Sequence, residues 1–219
     1  VWAGQYQQRP APREGGMFAV DKIGIVEFAP LGGKSIRGWD LAGSKKKTSP
    51  YTAGVRIKKV DGLIYIEHVA RERKEVKEMP SFVSTVAHAD GIDVLQDYPQ
   101  DPGVGGKSLK ATLAEALEGL DFRSSPETGD KVTRAIGISA QVDAGMVRMV
   151  RGPWNATFID EARNFPASSF KDQIDALSRA YTRLLAMKDD GVGEAPETPT
   201  RQPGDDDEDY DEYGDEPIY

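Results

Sequence analysis

The chain of 219 residues contains no cysteine and only two histidines, His68 and His88. The absence of cysteine excludes a disulfide scaffold, a cysteine nucleophile and a Cys-ligated zinc or iron–sulfur site. Two histidines leave little room for a His-rich metal site. No apolar run approaches the ~20 residues that a membrane-spanning helix needs. Hydrophobic residues nevertheless make up 38% of the chain, which is enough to form the core of one good-sized domain.

The N-terminus lacks both an initiating methionine and a signal-peptide pattern. We therefore expect the chain to be a fragment cut from a longer protein that is not secreted. Proline and glycine punctuate the first sixteen positions, which predicts that residues 1–16 are an interdomain linker.

The net charge of −8 is unevenly distributed along the chain. Residues 189–219 carry thirteen acidic side chains and one basic side chain, a net charge of −12, which leaves +4 for residues 1–188. The acidic tail has no apolar periodicity, so we predict that it is disordered. The mildly basic body permits a polyanionic partner without requiring one.

Hydrophobic patterning predicts a mixed α/β domain over residues 17–188. Three strands come first, with Asp61-Gly62 as the hairpin turn between the second and the third, and helices then alternate with strands. The predicted strands are 34–42, 51–60, 63–69, 93–98, 122–124 and 146–150. The predicted helices are 74–88, 108–120, 130–142, 154–164 and 170–187.

Aspartates stand at two predicted strand ends and at the start of the last helix. Asp40 lies near the end of the first strand, and Asp101 follows the fourth. Asp172 and Asp175 are three residues apart and share one helix face. Strand ends of an α/β sheet gather functional groups, and converging carboxylates suit Mg²⁺ or Mn²⁺. Each aspartate also has a structural explanation, as a turn residue or as a negative charge in a first helical turn.

The glycine-rich segment before the second predicted helix resembles a phosphate-binding loop without matching its motif. The pattern G-x-x-x-x-G-K-[ST] requires a glycine where this chain has Asp101, so we expect no nucleotide site. Lys107 at this helix N-terminus is still a candidate contact for a DNA phosphate. Lys131 and Arg134, on one turn of the third predicted helix, are further candidate DNA contacts.

Seven short motifs occur in an order that points to one family. They are Gln5-Tyr-Gln-Gln-Arg-Pro10, Gly38-Trp-Asp-Leu-Ala42, Gln100-Asp-Pro-Gly103 with Gly106-Lys107, Gly129-Asp-Lys-Val-Thr-Arg-Ala135, Gly152-Pro-Trp-Asn155, Glu161 to Phe165-Pro166, and Asp172-Gln-Ile-Asp-Ala176. Together they resemble the C-terminal nuclease domain of the large terminase subunit of tailed bacteriophages. The resemblance covers residues 5–182, nearly the whole predicted body.

The resemblance implies a ribonuclease-H-like mixed sheet flanked by helices, and an endonuclease that cuts concatemeric viral DNA during genome packaging. It implies that Asp40 bridges two divalent metal ions, Mg²⁺ or Mn²⁺. Asp101 is then the second carboxylate and Asp172 the third, with Asp175 as an additional ligand. Members of the family often have a pair of aspartates where this chain has Lys171-Asp172, so a cation here replaces the first of them.

The resemblance also implies the partners of the chain. They are double-stranded DNA, an N-terminal ATPase domain, the portal and the small terminase subunit, all within the host cell cytoplasm and without a membrane. Two alternatives remain open from the sequence. One is a non-catalytic docking module of the packaging motor that binds DNA, portal or small terminase. The other is a nuclease of the same fold that acts on Holliday junctions or RNA.

Overall fold

The computed structural model describes residues 16–100, 104–127 and 129–187. The strands are β1 Gly24–Val26, β2 Ser35–Asp40, β3 Thr52–Val60, β4 Leu63–Glu72, β5 Val94–Pro99, β6 Phe122–Ser125 and β7 Val147–Val150. The helices are α1 Met79–Asp90, α2 Val104–Ala116, α3 Lys131–Asp143, α4 Asn155–Asn164 and α5 Asp172–Ala186, with a short 3-10 helix at Val20–Lys22. The predicted acidic tail, and the predicted linker apart from Gly16, lie outside the described residues, so both stay predictions.

The seven strands of the described part form one mixed sheet in the order β1-β7-β4-β3-β2-β5-β6. Strands β2, β3 and β4 are an antiparallel meander, whereas β2–β5, β5–β6, β4–β7 and β1–β7 pair in parallel. Asp61 and Gly62 make the turn between β3 and β4 with φ values of 49° and 80°, as a two-residue hairpin turn requires. The predicted mixed α/β sheet and its hairpin are confirmed.

Strand β2 is buried on both faces because helices cover both sides of the sheet. Its side chains alternate between two separate apolar cores. Ile36 belongs to the larger core, which includes residues of α3, α4 and α5. Trp39 belongs to the smaller core, with residues of α1 and α2. The strand that ends in Asp40 is therefore held from both sides.

The face of the sheet beneath α1 also contains a buried ion pair. Arg37 is fully buried, and its Nε and Nη2 donate to the two carboxylate oxygens of Asp90 at 2.5 and 2.7 Å. Burial pushes the pKa of Asp90 upward, but the hydrogen bonds and charges of Arg37 and Arg56 outweigh burial and lower that pKa. The pair fixes the last residue of α1 against β2.

Helix α5 crosses β2 at Gly38, where the strand has no side chain. A Cβ atom at this position would lie 2.3 Å from the carbonyl oxygen of Ala176 and 2.5 Å from the amide nitrogen of Ala180. Only glycine therefore permits this approach of helix and strand. Asp40 is the next residue on the same face of β2, so it comes close to the first turn of α5.

Two of the helices begin several residues away from their predicted starts, and α2 also ends earlier, at Ala116 rather than at residue 120. Helix α1 begins at Met79 rather than at residue 74, and β4 extends to Glu72. Pro80 lacks an amide hydrogen and fits only the first turn of a helix, so α1 starts beside it. Helix α2 begins at Val104 rather than at residue 108, because the glycines that indicated a loop lie within its first turn. The interpretation of Lys107 as a residue just before the helix is corrected in the same way.

One strand was missed altogether. Strand β1 has only three residues, Gly24–Val26, which is too short for an alternating pattern to be visible. It forms because it pairs with β7, more than a hundred residues later.

We predict that Gly38→Ala lowers the free energy of unfolding by about 1–3 kcal/mol, the usual effect of overpacking. The added methyl group meets backbone atoms of α5, which cannot rotate away as a flexible side chain could. Chemical denaturation of the variant and the wild type measures the difference. Equal stability of the two proteins would contradict the close packing of α5 on β2.

Candidate metal centre

Asp40 is the last residue of β2, and its side chain is 19% exposed. Burial raises the pKa of Asp40 to about 7, with further upward contributions from the charges of Asp175 and Asp172 and an opposing one from Lys131. A carboxylate in this position is destabilised at neutral pH unless a cation compensates its charge. Asp40 therefore has the electrostatic environment of a cation ligand.

Asp172 and Asp175 lie in the first turn of α5 and are both 4% exposed. The Tyr51 amide donates to Oδ2 of Asp172 at 2.8 Å, and burial raises the pKa of Asp172. Asp175 Oδ1 accepts from Arg134 Nη2 at 2.6 Å. The predicted location of both aspartates on one face at the start of the last helix is confirmed.

The ammonium group of Lys131 lies between the carboxylates of β2 and α5. Its Nζ is 3.3 Å from Asp40 Oδ2 and also contacts Asp175 Oδ2. Burial lowers the pKa of Lys131, but the two carboxylates outweigh burial and raise it. Asp130 accepts a hydrogen bond from the Thr133 amide as the N-cap of α3, which sets where Lys131 begins the helix.

Two observations indicate that these residues suit a divalent cation. A positive charge already occupies the space between Asp40 and Asp175, and the surrounding donors are the carboxylate oxygens that Mg²⁺ and Mn²⁺ prefer. Across residues 16–100, 104–127 and 129–187, no three acidic or histidine side chains are close enough together to hold one ion. Asp101, the expected second carboxylate, lies outside the described residues.

The orientation of Asp175 depends on a chain of ion pairs that local patterning did not reveal. Arg134 connects Asp175 to Glu127, with 3.4 Å between Arg134 Nη2 and Glu127 Oε2. Arg179 then pairs with Glu127 at 2.7 Å and with Asp97 at 3.3 Å. These residues come from β5, the segment after β6, α3 and α5, so no spacing along the sequence could have identified them.

The structure contains no DNA and does not test the predicted DNA contacts, which stay predictions. Lys131 and Arg134 do lie on one turn of α3, but both point toward carboxylates. The side chain of Lys107, in α2, is outside the described part of the chain. Lys171 is the residue that precedes α5, and its side chain does not cap the helix.

An aromatic and arginine cluster lies beside Asp172 and was also missed by sequence analysis. The guanidinium carbons of Arg71 and Arg73 are 3.7 and 3.9 Å from the ring centroid of Tyr51. Phe170 packs edge-on against the same ring, with 5.1 Å between centroids. The cluster fixes Tyr51, which directly precedes β3 and whose amide binds Asp172. The two-residue spacing of Arg71, in β4, and Arg73, just after the end of β4 at Glu72, was the only signal available.

Comparison with known proteins identifies the family. A family model described as the terminase RNaseH-like domain matches residues 37–184, which span every candidate site residue from Asp40 to Asp175. The chain belongs to this family. Its ribonuclease-H-like fold, which the sequence resemblance implied, is thereby confirmed. No curated protein matches the chain.

Solved structures of terminase nucleases have the same fold as this terminase domain. The magnesium-bound large terminase nuclease of the thermophilic phage G20c is 15% identical, with a TM-score of 0.55 and coverage of 78% of this chain and 99% of that one. The manganese-bound nuclease domain of the bacteriophage SPP1 large terminase is 16% identical, with a TM-score of 0.50 and coverage of 75% and 97%. The terminase nuclease domain of human cytomegalovirus is 9% identical, with a TM-score of 0.55, and the match covers 69% of this chain and 83% of that one.

No helix among the described residues of the terminase domain is long and apolar enough to cross a membrane.

We predict that Asp40→Asn stabilises the metal-free protein at pH 8, by at most roughly 4 kcal/mol. The folded protein keeps the Asp40 proton up to about pH 7, whereas the unfolded chain releases it near the ordinary carboxyl pKa. Ionisation of Asp40 therefore destabilises the fold, fully above pH 7 and not at all below the unfolded pKa. Asparagine removes this effect.

Unfolding in a chelator between pH 5 and pH 8 measures the difference. The stability of the variant should exceed that of the wild type by an amount that grows with pH. Asp93→Asn, at the exposed opposite end of the sheet, should show no such pH dependence. A less stable Asp40→Asn protein at pH 8 would contradict the raised pKa.

Proposed function

We propose that this terminase domain is a metal-dependent DNA endonuclease that cuts concatemeric viral DNA during genome packaging, by two-metal-ion hydrolysis. The observation that carries the proposal is that Asp40 of β2 lies near enough to Asp172 and Asp175 of α5 to feel their charges, with raised pKa values at Asp40 and Asp172. Buried carboxylates that gather in this way are stabilised by cations.

Asp40, Asp101 and Asp172 would hold the two ions, Mg²⁺ or Mn²⁺, with Asp175 as an additional ligand. The sheet register supports the assignment of Asp101. Strands β2 and β5 are parallel with Gly38 opposite Asp97, and β5 ends at Pro99. The C-terminal end of β5 therefore lies at the same end of the sheet as Asp40, the last residue of β2. Asp101 follows two residues later.

Bound ions of this kind supply an activated water and stabilise the leaving oxygen of a phosphodiester. The residues of the chain would orient the substrate around them. Lys131, Arg134 and Lys107 are proposed contacts for DNA phosphates, since cationic side chains position the backbone without reading sequence. A metal ion held by these carboxylates would compensate their charge in place of Lys131, whose ammonium would then be free to neutralise a phosphate. Lys171 adds a further positive charge at this edge.

The structural relatives support the packaging context. The relatives named above are terminase nucleases or nuclease domains, and one is described with bound magnesium and one with bound manganese. We therefore propose double-stranded DNA as the substrate, in the cytoplasm of the host cell. An N-terminal ATPase domain, the portal and the small terminase subunit are the proposed partners.

We predict that the chain nicks and linearises supercoiled plasmid with Mn²⁺ or Mg²⁺ and that Asp40→Asn abolishes this activity. Loss of the carboxylate removes the ligand expected to bridge both ions while the helices and sheet stay intact. Gel analysis with each metal and with chelator measures cleavage. Asp93→Asn is the matched control, because its carboxylate is exposed at the opposite end of the sheet, and it should cleave like the wild type. Metal-dependent cleavage by Asp40→Asn would contradict the assignment.

One observation favours a second function, a non-catalytic docking module of the packaging motor. Lys131 pairs with both Asp40 and Asp175 in the described structure, so these carboxylates have a structural partner without any metal. A docking module would bind DNA, portal or small terminase but would not cleave plasmid with any metal. The same plasmid assay on the wild type therefore distinguishes the two functions.

A further inference from the structure

The start of α5, which carries Asp172 and Asp175, has no cap of its own. The N-cap position is Lys171, and its side chain makes no capping hydrogen bond. A lysine cannot accept one, since its ammonium group only donates. The first amide groups of a helix nevertheless need acceptors when they are buried.

The missing acceptor comes from Glu161 in α4. Its side chain is 3% exposed, and Oε1 accepts from the amides of Gln173 and Ile174 at 2.7 and 3.1 Å. Oε2 accepts from the side-chain amide of Gln173 at 2.8 Å. A carboxylate at the positive end of the helix dipole is also favourable. Glu161 thus fixes the turn of α5 in which Asp172 and Asp175 lie.

A second route connects Glu161 to Asp172 through the aromatic cluster. Arg71 Nη2 is 3.5 Å from Glu161 Oε2, and the guanidinium of Arg71 stacks on the ring of Tyr51. The Tyr51 amide in turn donates to Asp172 Oδ2 at 2.8 Å. Glu161 therefore binds the backbone amides directly after Asp172 and, through Arg71 and Tyr51, supports the group that binds the Asp172 carboxylate.

We infer that Glu161 is a positioning residue of the metal centre, which holds the first turn of α5 and, through Arg71 and Tyr51, the Asp172 carboxylate in the orientation that binds a divalent cation. The inference rests on the proposed function, because it concerns the same metal centre. Glu161 itself acts through its neighbours. Groups that orient metal ligands typically change metal affinity 10–100-fold when they are replaced.

The test is the affinity of the full chain for Mn²⁺, measured by isothermal titration calorimetry well below the melting temperature of each variant. Glu161→Ala removes every acceptor and should weaken Mn²⁺ binding by roughly 10–100-fold. Glu161→Gln keeps one oxygen for the two backbone amides but loses the charge that pairs with Arg71. Its affinity should lie between those of the alanine variant and the wild type.

Val83→Ala is the matched control for a loss of stability alone. Val83 is fully buried in the smaller core, on the face of the sheet opposite α5. Its truncation should lower the melting temperature and leave the Mn²⁺ affinity unchanged. If Glu161→Ala does not fold, a weakened affinity of Glu161→Gln beside an unchanged Val83→Ala supports the same inference.

Two failures are distinguishable in this experiment. If the wild type binds Mn²⁺ and the folded Glu161 variants bind it equally well, the positioning role is wrong and the proposed function stands. The positioning role is also wrong if Val83→Ala loses as much affinity as the Glu161 variants do. If the wild type itself binds no Mn²⁺, the proposed function fails and the inference fails with it.

Discussion

The contact between α5 and Gly38 of β2 determines the geometry of the candidate metal centre. Because β2 has no side chain there, backbone atoms of α5 lie where a Cβ would have to be. The N-terminal turn of the helix therefore reaches the end of the strand, where Asp40 stands. Two further contacts hold the helix and the strand that carry the site. Glu161 fixes where α5 begins, and the buried pair of Arg37 with Asp90 fixes β2 from its other face.

The electrostatics of the site follow from the same packing. Burial raises the pKa of Asp40 to about 7, and the nearby charges of Asp175 and Asp172 add to this effect. Lys131 offsets part of the repulsion by contacting two of the carboxylates. Such an arrangement lowers stability locally, and functional sites are where proteins tolerate it. We interpret the lysine as an internal cation in a centre that suits divalent metal ions.

Sequence reasoning succeeded where the signal was local. The Asp61-Gly62 turn between alternating strands predicted the hairpin, and the spacing of Asp172 and Asp175 predicted their shared face. The position of Asp40 at a strand end also followed from the pattern around it. The order of seven motifs predicted the family, which no composition argument could have done.

The remaining features depend on residues that are distant along the chain. Glu161 caps a helix that begins eleven residues later in the sequence, and Asp90 pairs with an arginine 53 residues away. Strand β1 forms only because β7 pairs with it. The start of α1 depended on Pro80, whose lack of an amide hydrogen outweighed the helical pattern before it. Sequence patterns predict which face of a helix or strand a residue lies on, whereas its contacts on that face depend on tertiary packing.

The central claim is that the carboxylates of β2 and α5 form a divalent metal centre from which Lys131 is displaced. Anomalous diffraction from crystals soaked in Mn²⁺ tests it most directly. We predict two peaks about 3.5–4 Å apart, with Asp40 and Asp172 as ligands and the Lys131 ammonium moved away from Asp40. An ammonium that stays between Asp40 and Asp175, with no peak beside either carboxylate, would contradict the account.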